Sequence, residues 1–361
     1  MVNIPENIKG ISPYVPGKPI EELERELGIT GSVKLASNEN PLGPSPKAVN
    51  AVKRAIEGLN RYPDGGGFRL VQALSKKLGV EPSEIILGNG SNELIEIAVR
   101  TFVQPGDEVI SADPSFIVYR LVTQAAGGVN VIVPCRDWRQ DLDAMAERIT
   151  PKTRIVFIAN PNNPTGTMNT KIEMDRFMDR VPDHVLVAVD EAYFEYVTRT
   201  DYPDSLEYLK GGKNILLLRT FSKIYGLAGL RMGYGVARPE LCEAMNKVRQ
   251  PFNTNSLGQT AALAALSDIK HLEKSIANNN EGRQYLYGAF QRLGVRYVPT
   301  EANFIFFESP LDGRGLYNAL LKKGVIIRPI SGNNMRVTIG LPVENERFIK
   351  GLEDVLADPS F

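Results

Sequence analysis

The stretch Arg154-Ile155-Val156-Phe157-Ile158-Ala159-Asn160-Pro161-Asn162-Asn163-Pro164-Thr165-Gly166 is an apolar run that breaks at once into a turn. The run is short and unalternating, the pattern of a strand buried on both faces. Proline, asparagine and glycine then supply the backbone angles of a turn. Working outward, similar runs recur: Glu84–Leu87, Glu108–Ser111, Val129–Val133, Val185–Val189, Asn214–Leu218 and Met232–Ala237. Helical spacing fills the gaps at Asn92–Phe102, Ser115–Ala126, Leu142–Ile149 and Lys171–Arg180. Upstream, Ser45-Pro46 reads as a helix start, and a helix over Phe68–Leu78 stops at Gly79. This alternation predicts an α/β protein whose mostly parallel central sheet is covered by helices, with ligand chemistry at the carboxyl ends of the strands.

After Pro251 the pattern changes. A long helix over Ile269–Leu293 precedes strands near Val295–Val298, Asn303–Phe307, Val325–Arg328 and Met335–Ile339, with helices at Gly315–Lys323 and Glu344–Leu356. The expected organisation is an N-terminal segment, 1–40, packing on a small α+β domain, 269–361, with a large cofactor-binding domain, 41–268, between them. The chain has 361 residues, ample for two domains. Its 42 basic and 42 acidic residues leave no basic excess for nucleic acid. No run is long enough for a membrane helix, and residues 1–18 carry no signal-peptide core, so a cytoplasmic protein is expected. Cys135 and Cys242 make no disulfide framework, and with two histidines and no ligand spacing no metal site is expected.

Nucleotide motifs fail. There is no phosphate-binding G-x-x-x-x-G-K-[ST] loop, and the runs from Gly88 and Gly233 reach Glu93 and Arg238 where G-x-G-x-x-G needs its last glycine. Neither His184 nor His271 accompanies a nucleophile elbow.

Four strand-end segments carry chemistry instead: Gly88-Asn89-Gly90-Ser91-Asn92, the Asn160–Gly166 turn, Asp190-Glu191-Ala192-Tyr193, and Thr220-Phe221-Ser222-Lys223 with Arg231 beyond. Singly, each is a turn, a helix cap or a solvated charge. Together they suit a pyridine aldehyde that carries a phosphate. Lys223 is the amine that joins the aldehyde as a Schiff base. Asp190 is the carboxylate that keeps the ring nitrogen protonated. Asn163 and Tyr193 can donate to the ring oxygen, and Phe116 can stack on the ring. Gly90, Ser91 and Asn92 offer backbone N–H groups to the phosphate, joined by Ser222 and Arg231.

In these motifs the chain resembles the pyridoxal-phosphate aminotransferases of the aspartate-aminotransferase fold (fold type I) over nearly its whole length. The stretches Pro13–Lys18, Leu35–Pro41, Asn60–Gly65 and Ser222–Arg231 are most similar to the members whose amino donor is histidinol phosphate. The resemblance implies pyridoxal 5'-phosphate as cofactor and a homodimer with a shared active site, in which Tyr62 reaches the phosphate held by the other subunit. It also implies ping-pong exchange between histidinol phosphate and 2-oxoglutarate, giving imidazole acetol phosphate and glutamate, with Lys223 as the general base. Arg336 would then grip the phosphate or the carboxylate, Arg328 would add the second positive charge, and Tyr14 a hydroxyl. Asn38 and Asn303 are further candidates for substrate contact. A broad aromatic amino-acid aminotransferase and a phosphothreonine-type decarboxylase of the same fold remain alternatives.

Overall fold

The computed structural model describes residues 2–14 and 16–358. Val15, inside the Pro13–Lys18 stretch, and residues 359–361, the end of the expected small domain, lie outside them. In chain order the strands are β1 (Val33–Lys34), β2 (Ile85–Gly88), β3 (Glu108–Asp113), β4 (Val129–Pro134), β5 (Thr153–Ala159), β6 (Leu186–Asp190), β7 (Ile215–Thr220), β8 (Gly233–Ala237), β9 (Tyr297–Val298), β10 (Phe304–Glu308), β11 (Val325–Ile326), β12 (Arg328–Ser331) and β13 (Asn334–Thr338).

Seven of these form the central sheet in the order β2-β8-β7-β6-β5-β3-β4. The strands all point the same way except β8, which is antiparallel to both β2 and β7. Successive side chains of a strand face opposite ways, so an unalternating apolar strand feeds two cores at once. Accordingly Val156 and Ile158 of β5, with Val187 and Val189 of β6, enter one core. Ile155 and Phe157, with Leu186 and Ala188, enter the other. Helices cover both faces, and the loops left at the strand ends are free to carry polar chemistry. This is the α/β architecture the alternation predicts.

A second, antiparallel sheet has the order β12-β13-β10-β9 and its own core around Phe290, Phe307 and Phe348. The single strand expected over Val325–Arg328 is in fact two. β11 pairs with β1, the chain turns at the buried Ile327, and β12 pairs with β13. Pro329 has no N–H to give to a ladder, which suits β12 to the edge of its sheet.

The start of the chain is divided between the two bodies. The Asn7 amide donates to the carbonyls of Gln124 and Ala125 on the large sheet's side, whereas β1 and Leu23 lie against β11. Nor is residue 269 a boundary in the packing. Leu272 and Ile276 of the helix Ile269–Arg292 pack on the large core, and Leu286, Ala289 and Phe290 of the same helix belong to the small one. Among the described residues no helix is long and apolar enough to cross a membrane.

Candidate active site

The carboxyl ends of β5, β6 and β7 and the start of the helix Ser91–Phe102 open on one cavity of about 200 Å³. Ser91, Asn92, Phe116, Asn163, Asp190, Tyr193, Ser222, Lys223 and Arg231 all line it. It shares Phe116, Asn163, Tyr193 and Lys223 with a larger one of about 530 Å³, whose wall includes Tyr14, Asn38, Arg328 and Arg336.

Lys223 follows β7. Its Nζ donates to the carbonyl of Ser37 at 3.2 Å and lies 5.6 Å from the centre of the Tyr193 ring. Loss of water, then the positive charges of Arg336 and Arg231, bring its pKa down to about 8. Near neutrality a useful fraction is therefore the free amine. Asp190, the last residue of β6, is buried, and burial pushes its carboxyl up to about 6. Two donors oppose that rise: the Tyr119 hydroxyl to Oδ2 at 2.9 Å and the Ala192 N–H to Oδ1 at 3.2 Å. Tyr119 is fixed by stacking on Phe157, with ring centres 4.6 Å apart, and Phe116 meets its edge. Among the described residues no cationic side chain is hydrogen-bonded to the carboxylate, so a protonated ring nitrogen beside it would find it unpaired by charge.

Gly90 stands at φ 81°, and no side chain caps the helix it opens. A Cβ there would lie 2.5 Å from Nη2 of Arg231, and a Cβ on Gly233 2.3 Å from the Ser91 nitrogen. The guanidinium is thus pressed against the positive end of a helix, where two like fields meet unless an anion joins them. Arg231 also donates to the Ser222 hydroxyl at 3.2 Å, and its backbone stands at a left-handed φ of 52°. A buried carboxylate, a shielded amine and a phosphate-type cradle in one cavity fit a phosphorylated pyridine aldehyde.

The larger cavity is marked by two arginines. Arg328 and Arg336 are directly opposite in the β12–β13 register, so both project from one face. Like charges in that relation are unfavourable, and among the described residues neither arginine is in an ion pair. Arg336 is buried, donates to Asn163 Oδ1 at 2.5 Å and to the Ala36 carbonyl at 2.7 Å, and leaves its Nε unpartnered. Arg328 lies 5.2 Å from the centre of the Tyr14 ring.

Asn38 lies deep between the two bodies at φ 56° and donates to the Tyr193 hydroxyl at 2.9 Å. That oxygen accepts from Asn38 and keeps its own proton to donate. Asn303 donates to the Asn38 carbonyl, one shell behind the cavity wall. Tyr62 is elsewhere: it lines neither cavity, is 82% exposed and stacks on Phe252. Sequence reasoning missed Tyr119, which reads as one more core aromatic of a helix. It also missed the carbonyls of Ala36 and Ser37, which no side-chain pattern reveals.

The family model described as aminotransferase class I and II matches residues 30–352. The histidinol-phosphate aminotransferase of Moorella thermoacetica is 53% identical over 98% of this chain and 92% of its own length. Histidinol-phosphate aminotransferase 1 of Nitrosococcus oceani is 49% identical over 97% of this chain and 96% of its own. The solved histidinol-phosphate aminotransferase of Sinorhizobium meliloti, in complex with pyridoxal-5'-phosphate, superposes with a TM-score of 0.91 at 28% identity, covering 99% of this chain and 98% of that one. A Thermus thermophilus aspartate aminotransferase shares the fold at a TM-score of 0.85 and 23% identity, over 98% and 99% of the two chains.

Proposed function

Because the chain belongs to the class I and II aminotransferases, we propose that it transfers the amino group of histidinol phosphate to 2-oxoglutarate with pyridoxal 5'-phosphate as cofactor. The observation that carries the substrate choice is the unpaired Arg328–Arg336 couple beside Lys223. A phosphate monoester is a dianion and answers two guanidiniums, whereas an α-carboxylate needs only one bidentate fork. The names of relatives about half identical over the full chain support the same substrate.

When bound, the cofactor supplies an aldehyde for the amine and a ring that draws electrons from the substrate carbon. Ser91, Asn92, Ser222 and Arg231 would hold its phosphate, and Asp190 its ring nitrogen, with Asn163 and Tyr193 donating to its ring oxygen. Lys223 then takes the proton from the amine-bearing carbon of the substrate, since its lowered pKa leaves Nζ able to accept it. Arg328 and Arg336 orient the anion in both half-reactions, as phosphate in one and α-carboxylate in the other. We infer also that two copies associate, with Tyr62 offered to the other copy. The exposed stack of Tyr62 on Phe252, with Leu59 and Phe68 also exposed in the same stretch of chain, supports that use.

Single half-reactions of the pyridoxal-phosphate holoenzyme test the assignment. Histidinol phosphate and glutamate should each convert the aldehyde form to the amine form, histidinol phosphate with far higher efficiency than phenylalanine. Equal use of phenylalanine would favour an aromatic aminotransferase, and carbon dioxide release a decarboxylase.

A further inference from the structure

The large-domain wall of the outer cavity carries an ion pair that none of the roles above uses. Asp113, at the end of β3, and Arg120, in the helix Val118–Ala125, both line that cavity and meet at 2.5 Å. Among the described residues that line it, Asp113 is the sole carboxylate. The Arg120 guanidinium makes one further hydrogen bond among the described residues, a long one of 3.4 Å to the Ala112 carbonyl. Both side chains keep partial contact with solvent, so the pair holds no large energy and parts readily.

Resting on the histidinol-phosphate reading, we propose that Asp113 and Arg120 form a two-faced reader of the substrate arm that differs between the half-reactions. Both substrates place an anion at Arg328 and Arg336 and the reacting carbon at Lys223. They differ in the third arm, which is an imidazole in histidinol phosphate and a carboxylate in 2-oxoglutarate and glutamate. A rigid apolar wall would suit the first and reject the second. A wall of one carboxylate and one guanidinium serves both. The Asp113 carboxylate accepts from an imidazole N–H, and is helped when the ring is protonated. The Arg120 guanidinium donates to the incoming carboxylate. In each case the released partner is left with solvent rather than buried alone, which keeps the exchange free of an unpaired interior charge.

The test compares half-reaction efficiencies of the holoenzyme, using histidinol phosphate and glutamate, for wild type, Asp113→Asn, Arg120→Met and Arg120→Lys. The ratio of histidinol phosphate to glutamate efficiency should fall about tenfold in Asp113→Asn and rise about tenfold in Arg120→Met, carried mainly by the apparent affinity. Arg120→Lys, which keeps the charge, should return most of the way to the wild-type ratio. A ratio unmoved in both Asp113→Asn and Arg120→Met, or moved the same way in both, overturns the inference alone. A wild-type enzyme that leaves histidinol phosphate unconverted overturns the proposed function and this inference with it.

Discussion

Tyr119 donates its hydroxyl to Asp190 across 2.9 Å, with both side chains buried in the wall of the inner cavity. The bond favours the ionised carboxyl against the burial that opposes it. Tyr119→Phe removes the donor with little change of shape, and we expect the pKa of Asp190 to rise by roughly one unit, equivalent to about 1.4 kcal/mol. The acid limb of pyridoxal-phosphate binding to the cofactor-free protein should move to higher pH, with little change on the alkaline plateau. An equal loss at every pH would mark a merely structural residue.

In the proposed role Asp190 would serve the reaction at the expense of the fold. Its carboxyl is raised from 3.8 to about 6, so the folded protein holds this proton more tightly than the unfolded chain. Stability therefore falls as pH rises between about 4 and 6, and the cost, about 3 kcal/mol, is fully present above that window. Asp190→Asn should accordingly stabilise the cofactor-free protein at pH 8 and leave it unchanged near pH 4, while transaminase activity is lost. Urea unfolding at the two pH values reads the difference.

Attachment of the cofactor should follow the Lys223 amine. With a pKa of about 8, its neutral fraction grows about tenfold per unit up to that pH and then levels. Stopped-flow absorbance of pyridoxal phosphate mixed with cofactor-free protein should show that profile. After borohydride, peptide mapping should find the label on Lys223. Lys223→Ala should lose label and at least about a thousandfold in turnover.

The two arginines should separate by substrate. Arg336→Gln removes a charge-assisted pair and loosens Asn163, so we expect the KM for both histidinol phosphate and glutamate to rise about 10- to 100-fold. Arg328→Gln should raise the KM for histidinol phosphate by a similar factor and that for glutamate by less, because only the phosphate is a dianion. Steady-state kinetics with each donor checks the split.

Gly90→Ala should act on Arg231. The added methyl falls 2.5 Å from Nη2 and sits at a φ that side chains avoid. Displacing the guanidinium should weaken pyridoxal-phosphate affinity at least about tenfold, measured by equilibrium dialysis, while circular dichroism stays unchanged.

Much of the site was legible because a parallel sheet gathers its strand ends. Asn163, Asp190 and Lys223 each follow an apolar run, so the order of the runs along the chain implies that they meet, and all three line the inner cavity. The fold was legible for the same reason, down to the two-sided burial of β5 and β6. What escaped depends on contacts between distant segments. Tyr119 differs from any helical core aromatic only by the carboxylate that its hydroxyl reaches, 71 positions later in the chain. The break at Ile327 was hidden because continuous apolar character does not reveal a change of sheet. Tyr62 is exposed and stacked on Phe252, away from both cavities, and the role that the resemblance implied for it needs a second copy of the chain, which no pattern along one chain can place.

The helix Ile269–Arg292 buries its first turns in one hydrophobic core and its last in the other. A chimera spliced at residue 268 would therefore carry away Leu272 and Ile276 with the grafted half and leave a gap in the half that remained. Exchanging donor preference between relatives is better attempted by transplanting the wall residues of the outer cavity than by trading whole lobes.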